Sequence, residues 1–276
     1  MAVKIAIMKI GCIGCSPLLE YVLDERADRN DITVGVFSPG CKMEAEDVPP
    51  VAERVVAFKP DLVILVSPNA AMPGPKTGRE AIAKAGIPVL VVSDAPAKKI
   101  APELDAGGFG YVIVEADSMI GARREFLDAT EMALFNSDVI RVLAVSGVYR
   151  LLYTEIDKII DQLEAGQKIS MPKILVDKET AVNSGKFNNP YAKAKAIASY
   201  ELSRRVADLS TQGCFVIKER ERYLPVVAAA HEMMRAAAKL ADEAREIEKT
   251  EDSVTRTPHT SEGAVLSKTK IFDKLA

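Results

Sequence analysis

Val3-Lys4-Ile5-Ala6-Ile7-Met8-Lys9-Ile10-Gly11-Cys12-Ile13-Gly14-Cys15-Ser16-Pro17 is the stretch that decides the fold. Its first seven residues carry the apolar alternation of a strand. A glycine-containing loop follows. Ser16-Pro17 then reads as an N-cap with proline at the first helical position. Leu18, Leu19, Val22 and Leu23 supply the apolar face of the helix beyond it. Strand, glycine loop and helix together make the repeating unit of an α/β sheet.

The unit recurs downstream. Thr33 to Ser38 is a strand broken by Pro39-Gly40, and Pro49-Pro50 delays the next helix to about Val51. Leu62 to Val66 and Val89 to Val92 are near-continuous apolar strands, ending in Ser67-Pro68-Asn69 and Ser93-Asp94. Pro73-Gly74-Pro75 prolongs the third loop and leaves a short helix from Gly78 to Ala85. Tyr111 to Val114 is a fifth strand. Strands apolar on both faces imply a parallel sheet covered on both sides. The predicted fold is α/β, a doubly wound, mainly parallel sheet over residues 1–120.

Beyond residue 120 the period changes. Residues 121–276 are predicted to form a helical-bundle region with a small accessory sheet and a docking C-terminal tail. Helices are expected over Arg123 to Phe135, over Val148 to Leu163, from Asn189-Pro190, and from Leu224-Pro225 to Glu248. Lys173 to Val176 and Phe215 to Ile217 read as short strands. The last helix carries Val227, Ala230, Met234, Ala237, Ala238, Ala241 and Ala244 on one stripe, which suits a buried or intersubunit position.

Composition narrows the function classes. A hydrophobic fraction of 48% can build a sizeable core. A net charge of −3 gives no bulk electrostatic footprint for nucleic acid. No run of 18 apolar residues is present, so no membrane partner is expected. The N-terminal residues lack a signal peptide's features, so a cytoplasmic location is expected. The four cysteines, Cys12, Cys15, Cys41 and Cys214, are too few for a disulfide scaffold. His231 and His259 form no metal-ligand run, so no metal is expected.

Ligands of doubly wound sheets bind beyond the carboxyl ends of the strands. Gly11 and Gly14 allow unusual dihedrals and close backbone approach there. Free N–H groups at the start of the first helix can hold an anion such as phosphate. The spacing is not G-x-G-x-x-G, and the second strand ends in Ser38-Pro39-Gly40 without the acidic residue that holds an adenosine ribose. NAD is therefore disfavoured. Asp94 reads either as a turn-capping residue or as a ligand contact. Lys9, Lys42, Lys76, Arg79 and Lys98 lie near predicted loop mouths, where they could meet an anionic ligand. Cys12-Ile13-Gly14-Cys15 is a lone C-x-x-C, read as small residues of a tight turn whose backbone contacts the ligand. Two alternatives stay open: a thiol-dependent redox protein using Cys12 and Cys15, and a non-enzymatic module that binds a nucleotide-like ligand.

Several stretches carry a family resemblance. Val3 to Gly14, Ser67-Pro68-Asn69-Ala70-Ala71-Met72-Pro73-Gly74-Pro75, Val92-Ser93-Asp94-Ala95-Pro96, Asp117 to Asp128 and Asn188-Asn189-Pro190-Tyr191-Ala192 resemble the coenzyme F420-dependent methylenetetrahydromethanopterin dehydrogenases of archaea. The likeness covers essentially the whole chain. It implies reversible hydride transfer between N5,N10-methylenetetrahydromethanopterin and coenzyme F420, a dissociable cosubstrate, in one-carbon metabolism and methanogenesis. It also implies a homohexamer, a trimer of dimers, with no metal and no flavin. On that basis F420 is expected over the strand ends, against Lys9, Gly11, Cys12, Ile13, Gly14, Cys15, Ser67, Pro68, Asn69, Asp94, Ala95 and Lys98. The pterin is expected from the side of Asp117, Ser118 and Met119. Asp94 is the candidate for an electrostatic role toward the forming methenyl cation.

Overall fold

The computed structural model describes residues 2–276. Strand β1 (Val3–Lys9) shows why apolar runs serve a covered sheet. Ile5 and Ile7 point into one apolar cluster, while Ala6 and Met8 point into another on the opposite face. The other strands are β2 (Ile32–Phe37), β3 (Leu62–Ser67), β4 (Val89–Asp94), β5 (Gly110–Val114) and β6 (Lys173–Val176). All pair in parallel, in the order β2-β1-β3-β4-β5-β6. The chain leaves β1 toward β2 and then returns to the other side of β1 as β3. The strand order therefore reverses between β1 and β3, and the carboxyl ends of those two strands flank the crevice.

Helices α2 (Pro49–Phe58), α3 (Pro73–Lys84) and α4 (Ala101–Ala106) cover one face of the sheet. The other face is covered by α1 (Cys15–Leu23), α5 (Ala129–Ser146) and α6 (Val148–Glu164). The short α7 (Lys178–Ser184) follows β6. The long helices α8 (Pro190–Thr211) and α9 (Arg220–Thr250) pack on each other and on α5. The expected stripe on α9, from Val227 to Ala244, is buried throughout. Small side chains let α8 approach closely enough for Ser199 Oγ to donate to the Ala237 carbonyl at 2.8 Å.

The α/β reading stands, with local corrections. Lys173–Val176 belongs to no accessory sheet; as β6 it extends the main sheet beside β5. One apolar cluster accordingly contains residues from both sides of position 120. Pro49 and Pro73 do not lengthen loops. Each opens a helix, where its missing N–H has no partner to lose. The helix expected from Arg123 starts only at Ala129, because the Asp128 carboxylate accepts from Glu131 N at 2.8 Å and fixes the N-terminus there. Phe215 to Ile217 form no strand: Gln212–Val216 is one turn of π-helix continuing α8. Pro225 lies inside α9, which begins five residues earlier. Among the described residues no single helix is long and apolar enough to cross a membrane.

The tail beyond α9 folds back over the sheet's amino end. Asn30 N donates to the Ser261 carbonyl at 2.8 Å, and Arg256 and Lys268 form an antiparallel bridge. His259 is the pin. Its ring is fully buried, with Nδ1 3.1 Å from Glu25 and Nε2 3.0 Å from Asp157.

Candidate functional site

The loop that follows β1 is built by contacts from three other strand ends. Gly11 takes φ +86°, and a Cβ there would meet Met43 Sδ and Pro68 Cδ at 2.8 Å each. That closeness brings the loops after β1, β2 and β3 into one wall. Ile10 N donates to the Val66 carbonyl at 2.9 Å, so the first loop continues the sheet pairing before it turns away.

The second glycine works differently from expectation. Gly14 has φ −61°, an ordinary helical value, so it needs no special backbone freedom. Its hydrogen serves packing: a Cβ would stand 2.5 Å from Val139 Cγ1 of α5 and 2.9 Å from Asp117 Oδ1. Ser16 is not the N-cap of α1 either, since its hydroxyl is buried without a partner. The cap comes from the far side of the sheet. Gly14 N donates to Asp117 Oδ1 at 2.6 Å, and Cys15 N donates to Asp117 Oδ2 at 2.7 Å. The anion at this helix terminus is thus the protein's own. The two amides expected to receive a phosphate are already taken. Gly11, Cys12 and Ile13 are left, and among the described residues their N–H groups make no hydrogen bond.

Asp117 lies at the end of β5, fully buried. Burial pushes its carboxyl up, opposed by the bonds from Cys15 and Gly14. Asp94, also buried, ends β4 and accepts from Ala95 N at 2.5 Å. Burial first, and the Asp117 charge second, push Asp94 well above the usual carboxylate range. Bonds from the Ala95 and Met119 amides oppose the rise at Asp94, as those from Cys15 and Gly14 do at Asp117. Cys15 is buried beside both, and its thiol is pushed well up by burial and then by Asp117. Cys12, half buried, is also raised, by burial first and Cys41 second. Neither thiol is poised as a thiolate, which removes the support for thiol redox chemistry.

The remaining strand ends make the floor and rim. Ser93 Oγ donates to the Ser67 carbonyl at 2.8 Å and accepts from Ala70 N at 3.0 Å, which locks β4 to the turn after β3. Asn69 Oδ1 accepts from Ala71 N, closing that turn. Ser118 Oγ donates to the Ser203 carbonyl, and Ser203 Oγ to the Ala116 carbonyl, each at 2.6 Å. This interlock fixes the β5 loop to α8. Met119, partly exposed, follows it. Lys98 reaches Glu115 at 2.7 Å, and Arg204 lies 3.8 Å from the same carboxylate. Lys9 ends β1 in a partly buried position near Cys12. Arg79 does not stand at a loop mouth. It is buried, donating to the Ala70 carbonyl at 2.7 Å and to Glu103 at 2.8 Å. Lys76 pairs with Glu103 and Lys42 with Asp47. Glu115 and Met43 escaped the sequence reading. The strand-end rule reaches Glu115, the residue right after β5, whereas nothing in the sequence brings Met43 to Gly11.

Comparison with known proteins supplies the chemistry that such a crevice serves. The family model for methylene-5,6,7,8-tetrahydromethanopterin dehydrogenase matches residues 3–276. The F420-dependent methylenetetrahydromethanopterin dehydrogenase of Archaeoglobus fulgidus is 56% identical over 274 residues, covering 99% of both chains. That of Methanocaldococcus jannaschii is 51% identical over 275 residues, again at 99% of both. A solved structure of an F420-dependent methylene-tetrahydromethanopterin dehydrogenase in complex with methylene-tetrahydromethanopterin and coenzyme F420 superposes with a TM-score of 0.97. It is 43% identical and covers 100% of both chains.

Proposed function

The chain belongs to the methylene-5,6,7,8-tetrahydromethanopterin dehydrogenase family, and we infer that it catalyses reversible hydride transfer between N5,N10-methylenetetrahydromethanopterin and coenzyme F420. The products are methenyltetrahydromethanopterin and reduced F420. The observation that carries this is the full-length superposition on an enzyme whose structure holds both ligands.

Coenzyme F420, when bound, supplies the hydride-accepting ring. The residues present fit it. Three consecutive amides at Gly11, Cys12 and Ile13 have no acceptor among the described residues, which leaves N–H donors free for developing negative charge. The substrate carbon lies between two nitrogens whose lone pairs spread the positive charge left behind. No side chain has to remove a proton there, and the buried carboxyls need not act as bases. The chain's task is to hold two flat rings in register and to keep water out.

In this reading Gly11, Cys12 and Ile13 meet F420 through their amides, while Gly14 and Cys15 set the loop's position. Ser67, Pro68, Asn69 and Ala95 form the floor, and Lys9 and Lys98 stand at the rim. Asp94 holds the turn through the Ala95 amide and is the candidate for an electrostatic role toward the forming methenyl cation. Met119 faces the pterin, with Asp117 and Ser118 positioning the segment from beneath. A homohexamer, a trimer of dimers, completes the proposal. Its support is the exposure of large apolar side chains, Phe272 at 96%, Tyr191 at 76% and Val216 at 63%. Sedimentation of the purified protein tests the assembly. Mixing enzyme, F420 and the methylene substrate tests the reaction: loss of the oxidised F420 absorbance is expected, and an unchanged spectrum overturns the assignment.

A further inference from the structure

A cavity of about 550 Å³ lies away from the strand carboxyl ends. Its walls are the last turn of α1, the α5–α6 junction, the end of α9 and the tail. Helix α1 starts at the carboxyl end of β1 and runs back along the sheet, so this cavity opens toward the sheet's opposite end. Its volume is that of a small-molecule site.

Four cations line it: Arg150, Arg245, Arg256 and Lys268. None makes a salt bridge among the described residues, an unusual state for four neighbouring cations. Arg150 donates to Thr255 O at 2.9 Å and Thr257 Oγ1 at 3.2 Å. Arg256 donates to Val254 O at 3.2 Å, and Lys268 to Ile271 O at 2.7 Å. These neutral acceptors orient the side chains without pairing their charges, and Glu248 and Glu246 offset only part of the Arg245 charge. Arg245 makes no hydrogen bond among the described residues. Burial, and then the nearby Arg256, push it below the usual guanidinium range; burial likewise lowers Arg150, with Arg245 adding to the effect. The one carboxylate on the wall, Glu25, is committed to His259 and Arg26. Glu248, next to Arg150 and Arg245 in an adjoining cleft, is engaged by the Asn188 and Asn189 amides at 2.8 and 2.7 Å.

We propose that this cavity is a second ligand site, which takes a small molecule bearing two or more phosphate or carboxylate groups. A multivalent anion there relieves the repulsion among the guanidinium groups and gains paired, charge-assisted hydrogen bonds. The Tyr149 ring and the adjacent aliphatic side chains give the non-ionic part of such a molecule an apolar wall. Because the tail forms one wall, occupancy also holds the tail against the α/β body.

The test is calorimetric titration of the full-length protein with pyrophosphate and, separately, citrate. Saturable binding of at least one is expected, weakening with added salt. The anion preferred identifies the ligand class. Arg245→Gln removes no internal hydrogen bond and is expected to weaken binding about tenfold; Arg245→Gln with Arg256→Gln should abolish it. Hydride transfer to F420 in the Arg245 variant should be unchanged, since the site lies apart from the strand ends. Absence of saturable binding by either anion overturns the proposal, as does equal binding in the variants. It is also overturned if the wild type binds neither anion and the double variant sediments as a smaller species, since the cations then serve a subunit contact.

Discussion

Asp117 carries more of the site than any residue that could touch a ligand. Its two oxygens hold the Gly14 and Cys15 amides, and so anchor the loop that carries the three preceding amides. Asp117→Asn keeps the volume but offers one acceptor in place of two. The variant is expected to lose about 1–2 kcal/mol of stability and to raise the KM for F420 while kcat changes much less. Unaltered melting together with an unaltered KM would show that the loop holds itself. The two glycines separate by the same logic. Gly11→Ala, strained at φ +86° and tight against Pro68, should raise the KM for F420 about tenfold. Gly14→Ala collides with Val139 instead and should cost about 1–3 kcal/mol of stability, read by thermal melting. Cys12→Ser should retain hydride transfer, because the thiol is held in its protonated form; loss of turnover would restore a thiol mechanism.

At the scale of elements, some local signals decide the outcome and others do not. Asn189-Pro190 starts α8 because the Asn side chain accepts from Tyr191 and Ala192 N, all within one turn. Other elements depart from their local pattern because a neighbouring cap or an ambiguous apolar run decides them. Phe126 and Leu127 continue an apolar spacing, yet Asp128 caps the helix after them. Phe215-Val216-Ile217 is a short apolar run, ambiguous between strand and helix by pattern alone. The tail was legible as a docking segment, but its pin was not, for His259 meets Glu25 and Asp157 far away in sequence. That pin makes docking depend on pH. The groups facing the ring are Glu25 and Asp157, with Arg29 and Asp31 beside them. Burial works against the charged imidazolium, but Asp157 and Glu25 outweigh it, and the His259 pKa rises. Its contribution is complete below the unfolded value of about 6.5 and is lost as pH rises through the folded value. Burial opposes ionisation of Glu25 and Asp31 too, yet bonds from His259 and Arg29 lower both. Their contribution is lost only as pH falls through those lowered values. The tail should therefore be held most firmly near pH 6 and loosen toward pH 9. Hydrogen exchange of residues 255–268 reads this directly, and His259→Gln should flatten the dependence.

For the whole molecule, the sheet was legible and its far edge was not. Periodicity places strands at β1 to β5, and the reversal of strand order then locates the crevice. Strand β6 has only four residues and arrives after two long helices, so no pattern in the sequence assigns it to β5. Its presence there means that residues 1–120 leave β5 unpaired on one side and one face of the sheet covered by α1 alone. A fragment ending at residue 120 is expected to aggregate or stay unfolded, as judged by circular dichroism and gel filtration. A cooperative melt of that fragment would show an independent first half.

The cap on α1 also bears on how such a fold changes its diet over evolution. Many sheets of this layout leave their first helix open and let a cofactor's phosphate complete it. Here the complement is built in, more than a hundred residues downstream of the loop it serves. A switch to a phosphate-borne nicotinamide cofactor could not be made by editing the glycine loop alone. It would require the resident carboxylate on another strand to be vacated first, at a cost in stability before any new ligand compensates. Two separate changes, the first of them harmful, form a barrier that keeps a lineage faithful to its coenzyme.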